Sequence, residues 1–226
     1  MIPLKDDNPT RIVPFVTIAL IAANAVVFVY ELLLPREASS AFVASMGVIP
    51  AELTQAAMHD PQCLLHAGMT LFTAMFVHGG VAHVAMNMLY LWIFGNNIED
   101  VMGHGRFLAF YLVCGLVASF CQVAASPDSK FPMIGASGAI SGVLGAYLIM
   151  FPVARVQTLV FIVFFIRVVS IPAVIVLGFW FLLQLLNIGP TGAGGGVAVF
   201  AHIGGFVAGV ALVAGFRRRR SRQSLF

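Results

Sequence analysis

The sequence has very little charge. Only 9% of its 226 residues are Asp, Glu, Lys or Arg, whereas 60% are hydrophobic. A soluble domain has about 25% charged residues, so this composition excludes an ordinary soluble domain. Several apolar runs reach the roughly 20 residues that a membrane-crossing helix requires. The composition therefore predicts an all-α polytopic membrane protein.

Cysteine is also scarce, with only Cys63, Cys114 and Cys121 in the chain. Two of the three lie inside apolar helical segments, where cysteine behaves as a small hydrophobic residue. No CxxC motif and no Cys/His spacing typical of metal ligands occurs. We therefore predict no metal site.

Carboxylates are missing from the whole chain after Asp128. The other acidic residues lie in loops or at the ends of apolar runs, at Asp6, Asp7, Glu31, Glu37, Glu52, Asp60, Glu99 and Asp100. This distribution predicts that a catalytic serine and histidine would act as a dyad, and not as a triad with a carboxylate.

Six apolar segments predict a bundle of six membrane helices. They cover about residues 14–34, 81–94, 107–125, 137–150, 168–188 and 197–216. The fifth span is the least well defined, and residues 156–166 are interpreted as an interfacial segment leading into it. No internal repeat or second domain is visible, so residues 1–226 are predicted to form one membrane domain that ends in a basic tail, 217–226.

The basic residues predict the orientation. With six spans, ten of the twelve Lys and Arg residues lie on one side, and only Arg36 and Lys130 lie on the other. The positive-inside rule then predicts that both termini are cytoplasmic. A basic run can also bind nucleic acid, but a run next to a membrane helix is more simply a membrane anchor. We therefore expect the lipid bilayer, and no nucleic acid, as its partner.

Four polar residues on three spans are predicted to lie at a similar depth. Ser137 begins a span of only fourteen residues, roughly 21 Å long, which is shorter than the hydrocarbon core. By the same rise per residue, His202 lies roughly 22 Å above the inner boundary, and His83 and Asn87 roughly 24 and 18 Å. Polar side chains at this depth usually face a bundle interior or a wet cavity.

This set of residues can support acyl transfer. A serine hydroxyl is a weak nucleophile until a neighbouring base takes its proton, and histidine is the usual base. Candidate donors to a developing oxyanion are the backbone N–H of Ser137 and the side chains of Asn87 and His83. Gly135 beside them, like Gly138, allows close approach of the backbone to a substrate.

Three segments resemble the signature motifs of the rhomboid intramembrane serine proteases. They are Gly135-Ala136-Ser137-Gly138, His83-Val84-Ala85-Met86-Asn87 and the stretch from Ala201 through His202, Gly205 and Gly209. The resemblance implies that Ser137 is the nucleophile, His202 the general base, and Asn87 with His83 the oxyanion stabilisers. It also implies cleavage of membrane-anchored proteins in or near their membrane helix, without a cofactor, and tight packing of the sixth span through Gly205 and Gly209.

One position departs from the family pattern. Many relatives have an aromatic residue one helical turn after the serine, and this chain has Ser141. Either another ring packs on His202, or the imidazole is held less rigidly. The glycine-rich loop 189–196 is either a plain connection or, as we favour, a mobile gate beside the fifth span.

Alternative interpretations remain for each residue and for the function. Ser137 alone is typical of close helix packing, His202 of a structural histidine, and His83 with Asn87 of interhelical hydrogen bonds. The alternative function is a weak or inactive rhomboid-like protein that binds transmembrane helices. A channel or transporter is disfavoured, because paired intramembrane charges and inverted repeats are missing. The compact plan suggests a bacterial inner membrane.

Overall fold

The computed structural model describes residues 1–59, 61–162, 165–188 and 198–217. Ten α-helices occur in this part of the chain: α1 Phe15–Leu33, α2 Arg36–Met46, α3 Pro50–His59, α4 Pro61–Thr73, α5 Val81–Tyr90, α6 Asn96–Met102, α7 His104–Ala125, α8 Ser137–Met150, α9 Ala173–Leu186 and α10 Val199–Phe216. A π-helical turn, Leu91–Gly95, joins α5 to α6, and a 3-10 turn, Ala74–Phe76, follows α4. Three strands complete the described elements: β1 Ile2–Asp6, β2 Arg155–Ile162 and β3 Phe165–Pro172.

Three of the described helices, α1, α7 and α10, are long and apolar enough to cross a membrane. Residues Leu64–Phe76 and Val81–Met102 form a fourth candidate, a pair of helical segments bent by 81°. The apolar helices α8 and α9 are shorter, with fourteen residues each. The mostly helical membrane fold is thus confirmed, while the count of six spans stays a prediction.

Residues 155–172 correct the sequence analysis. Residues 155–162 and 165–172 form the antiparallel strands β2 and β3, and β2 also pairs with β1 to give a sheet of order β1-β2-β3. The prediction that a helical span begins at residue 168 was therefore wrong, because α9 begins at Ala173. Pro172 blocks helix upstream of α9, and the β-branched and aromatic residues before it favour a strand.

A buried carboxylate, Glu99, joins the starts of two long helices. It accepts hydrogen bonds from the backbone N–H groups of Val16 at 2.9 Å and Thr17 at 2.8 Å, and from the Thr17 hydroxyl at 2.7 Å. His104, at the start of α7, lies 2.6 Å from the same carboxylate. An acid at a helix N-terminus satisfies free N–H groups and the helix dipole, so the starts of α1 and α7 are held together.

Two further contacts join elements at this end of the bundle. The Tyr147 hydroxyl near the end of α8 donates to Asp6 of β1 at 2.6 Å. The Arg106 guanidinium near the start of α7 donates to the carbonyl oxygen of Arg217, which follows α10, at 3.3 Å. Helix α10 therefore ends where α7 begins, so these two helices run in opposite directions.

Helix α8 lies in the core of the bundle, and its ten residues from Gly138 to Tyr147 are all buried. It packs between α7 and α10. A Cβ atom at Gly142 would overlap the Cys114 side chain, and one at Gly145 would overlap the backbone of Phe206. Small residues thus allow α8 to pack closely on both neighbours, which fixes the position of its first residue, Ser137.

Candidate functional site

The structure brings the predicted serine and histidine into hydrogen-bond contact. Ser137 is the first residue of α8 and His202 lies in the first turn of α10, 65 residues further along the chain. The distance between His202 Nε2 and Ser137 Oγ is 2.8 Å. Both residues are partly buried. A hydroxyl and an imidazole at this distance can exchange a proton.

The second imidazole nitrogen contacts a residue to which the sequence analysis assigned no role. His202 Nδ1 lies 2.8 Å from Oε1 of Gln184 on α9, and the amide of Gln184 donates to the carbonyl oxygen of Trp180 at 3.3 Å. An amide oxygen only accepts, so Nδ1 carries the proton and Nε2 accepts from the Ser137 hydroxyl. The signal that could have found Gln184 is a polar side chain within an apolar helix.

An aromatic ring from α9 approaches the histidine. The ring centroid of Trp180 lies 5.9 Å from that of His202, and Trp180 also stacks on Phe206 at 6.0 Å. Of the two alternatives that Ser141 left open, the structure therefore shows the first, in which another ring fills the place. Ser141 itself is fully buried, and its hydroxyl donates to the Ser137 carbonyl oxygen at 2.6 Å.

The two other predicted polar residues lie on one face of α5. Asn87 is buried, and its amide donates to the carbonyl oxygen of His83 at 2.9 Å. The backbone N–H of Gly79 donates to His83 Nδ1 at 3.4 Å. With Nδ1 as the acceptor, the proton of a neutral His83 is on Nε2. A Cβ atom at Gly135 would lie 2.8 Å from His83 Nε2 and 3.8 Å from Ser137 Oγ, so His83 borders the serine.

Of the four predicted glycines, one lies beside the site and three lie in contacts between helices. Gly135 has a φ of 111°, in the region that favours glycine. It lies two residues before Ser137 and next to the His83 ring. Gly138 is instead directed at α7, because a Cβ atom there would lie 2.7 Å from that of Ala118. Cβ atoms at Gly205 and Gly209 would overlap backbone carbonyl groups of α8. These three glycines thus lie in helix contacts.

The candidate site opens into a cavity of about 1130 Å³. Ser137, His202, His83 and Asn87 all line it. Its apolar wall includes Met86, Tyr90, Ile140, Leu144 and Trp180, and the segment after α7 adds Asp128 and Lys130.

Within the described ranges, no group of three His, Cys, Asp or Glu residues could hold a metal ion.

A further histidine, His78, lies behind His83. It is 1% exposed, and its ring contacts the ring of His83 edge to face with centroids 5.0 Å apart. Its Nδ1 lies 3.3 Å from the carbonyl oxygen of Phe76, and its backbone N–H donates to Glu31 at 3.2 Å. His78 therefore supports the His83 ring, although the sequence analysis assigned it no role.

Two parts of the sequence analysis fall outside the described residues. They are the glycine-rich loop 189–196, interpreted as a gate, and residues 218–226 of the basic tail.

The Rhomboid domain family model matches residues 66–219, which include every residue of the site. The chain belongs to the rhomboid family. The resemblance of its three motifs is thus confirmed, and the protein is a membrane protein of this family. The match contains α5, α8 and α10, the helices that carry the predicted polar residues.

Comparison with curated proteins gives the same family. Rhomboid protease GluP of Bacillus subtilis (strain 168) is 39% identical over 144 residues, which cover 63% of this chain and 25% of that protein. Rhomboid protein 1, mitochondrial, of Saccharomyces cerevisiae is 31% identical over 97 residues, covering 41% of this chain and 28% of the relative. The human presenilin-associated rhomboid-like protein, mitochondrial, is 37% identical over 82 residues, covering 35% and 22%. The matches thus span about a quarter of each relative's length.

Proposed function

We propose that the protein is an intramembrane serine endopeptidase that cleaves transmembrane or membrane-anchored proteins in or near their membrane helix. The observation that carries the proposal is the 2.8 Å contact between Ser137 Oγ and His202 Nε2 at the wall of a large cavity. Membership of the rhomboid family, and a bacterial relative named a protease, support it. The reaction needs no cofactor.

In the proposed mechanism, Ser137 and His202 act as a dyad. The Ser137 hydroxyl proton moves to His202 Nε2 while Oγ bonds to the carbonyl carbon of the scissile peptide. The C–N bond then breaks, and the leaving amine takes the proton from His202. Water attacks the acyl-enzyme and gives a proton to the same Nε2. The ester bond breaks, and the proton returns to Oγ.

The proposed oxyanion site lies between α5 and the start of α8. The backbone N–H of Ser137 is at a helix N-terminus, where the helix dipole favours negative charge. Neutral His83 has its proton on Nε2, the atom that a Cβ at Gly135 would meet at 2.8 Å. The Asn87 amide donates one hydrogen bond to the His83 carbonyl oxygen and has a second N–H for a ligand. Together these groups supply the donors that acyl transfer requires.

The experiment is cleavage of a single-span membrane protein by the purified full chain in liposomes. We expect the parent to cut the substrate, and Ser137→Ala and His202→Ala to leave it intact while still binding it. Cleavage by Ser137→Ala at the parent's rate would show that the mechanism is wrong. Substrate binding by the parent without cleavage would favour the alternative, an inactive relative that binds transmembrane helices.

For location, membrane insertion follows from the family and the apolar helices. Cytoplasmic termini remain a proposal that rests on the basic residues. The expected bacterial inner membrane is not supported by the comparisons, because two relatives are named mitochondrial.

A further inference from the structure

Both polar atoms of the Gln184 side-chain amide have a hydrogen-bond partner. Its amide nitrogen donates to the carbonyl oxygen of Trp180, one turn earlier on α9, at 3.3 Å. Its oxygen lies 2.8 Å from His202 Nδ1. Because the nitrogen faces an acceptor, the oxygen is the atom presented to the imidazole. This arrangement requires a proton on Nδ1.

The tautomer of His202 decides whether it can act as a base. Nε2 faces Ser137, and it accepts the hydroxyl proton only when the ring proton is on Nδ1. In serine proteases with a triad, a carboxylate keeps the imidazole in this tautomer and orientation. Here no Asp or Glu occurs in the sequence after Asp128, which excludes a carboxylate on α8, α9 or α10.

We infer that Gln184 is the positioning residue for His202, taking the place of the missing carboxylate. This inference rests on the proposed function. Gln184 fixes the Nδ1–H tautomer and the orientation of the ring, and it remains neutral throughout the reaction. As Nε2 gains the serine proton, the Nδ1–H···Oε1 hydrogen bond becomes charge-assisted and therefore stronger. Gln184 thus stabilises the imidazolium in addition to orienting the neutral ring.

The test compares Gln184→Met with Gln184→Glu. Methionine has nearly the same length but no strong acceptor, whereas glutamate retains an oxygen for Nδ1–H. Asn187→Leu is the matched control. Asn187 lies three residues after Gln184 and also donates to a backbone carbonyl oxygen, that of Leu183 at 2.8 Å, but its side chain is exposed. The first readout is the rate of reaction with a fluorophosphonate probe, which reports activation of the serine without a protein substrate.

We expect Gln184→Met to label roughly tenfold to hundredfold more slowly, a smaller loss than the about 10⁴-fold that follows replacement of a triad carboxylate. Its kcat for cleavage should fall by a similar factor with KM within about twofold of the parent value. Gln184→Glu should keep most of the rate, and Asn187→Leu should match the parent. Thermal unfolding of each variant in detergent identifies any loss that comes from misfolding.

Labelling of Gln184→Met at the parent's rate would overturn the inference while leaving the dyad intact. Equal losses in Gln184→Met and Gln184→Glu would also overturn it, because the acceptor oxygen would then be irrelevant. Failure of the parent itself to label would instead count against the proposed function.

Discussion

The indole ring of Trp180 lies 5.9 Å from the imidazole ring of His202, measured between centroids, with the two planes inclined by 40°. The two rings come from neighbouring helices, α9 and α10. Trp180 thus covers one side of the imidazole at a site where Ser141 provides no ring. One residue of α9 therefore packs on the histidine, and another, Gln184, holds its Nδ1 atom.

Replacement of Trp180 tests this packing. We expect Trp180→Ala to lower the rate of fluorophosphonate labelling by about twofold to tenfold, since an aromatic contact contributes about 0.5–1.5 kcal/mol. Trp180→Phe should keep most of the rate. The control is Phe179→Ala, because Phe179 is on the same helix and is exposed. Equal rates in Trp180→Ala and the parent would show that the ring does not position His202.

The contact between α8 and α10 gives a prediction about stability. A Cβ atom at Gly209 would overlap the backbone of Gly142. Overpacking of this kind usually costs about 1–3 kcal/mol. Gly209→Ala should therefore lower the free energy of unfolding by at least about 1 kcal/mol. Gly215 on the same helix has no atom within 4 Å of such a Cβ.

Gly215→Ala is thus the matched control, and it should leave stability unchanged or slightly raised, because alanine favours helix over glycine. The measurement is unfolding of both variants by heat or denaturant in the same detergent. Equal stability of Gly209→Ala and Gly215→Ala would mean that the two helices do not pack as closely as described.

The sheet gives a prediction about pH. Burial raises the pKa of Asp6 above its usual 3.8, although the hydrogen bond from Tyr147 partly offsets the shift. The folded protein therefore binds this proton more tightly than the unfolded chain does. Stability should decrease as the pH rises from 3.8 to the raised pKa of Asp6, and this contribution should then stay constant.

Asp6→Asn removes this titration and keeps an acceptor for Tyr147. Thermal unfolding of both proteins from about pH 4 to about pH 8 should show that the stability of Asp6→Asn relative to the unsubstituted protein increases with pH and then levels off. If the relative stability of Asp6→Asn instead fell as the pH rises, the pKa of Asp6 would be lowered in the folded protein and not raised.

The positions of the polar site residues could be predicted because each lies on a helix whose end is visible in the sequence. Ser137 follows a loop and precedes an apolar run, and His202 lies a fixed number of residues before Arg217. A rise of 1.5 Å per residue then gives predicted depths for them, and these depths stay predictions. The cost of polar groups at such a depth predicted that these side chains face the bundle interior, but the sequence did not show which of them contact one another.

The strands β2 and β3 and the role of Gln184 could not be predicted, for different physical reasons. Two thirds of residues 155–172 are apolar, and 159–166 form an unbroken apolar run, so the alternation that identifies a half-buried strand is missing there. Their partner β1 is some 150 residues away in the chain. Gln184 was visible as a polar residue in an apolar helix, but its contact with His202 depends on how α9 is rotated, and tertiary packing sets that rotation.

The most direct measurement is to map the residue that a fluorophosphonate probe modifies, by peptide mass spectrometry of the full chain in detergent. We predict one adduct, on Ser137, that is lost in Ser137→Ala and His202→Ala. It should be retained in Ser141→Ala, whose hydroxyl lies one turn away and bonds to the Ser137 carbonyl oxygen. An adduct on any other residue, or undiminished labelling of Ser137→Ala, would contradict the proposal that Ser137 is the nucleophile.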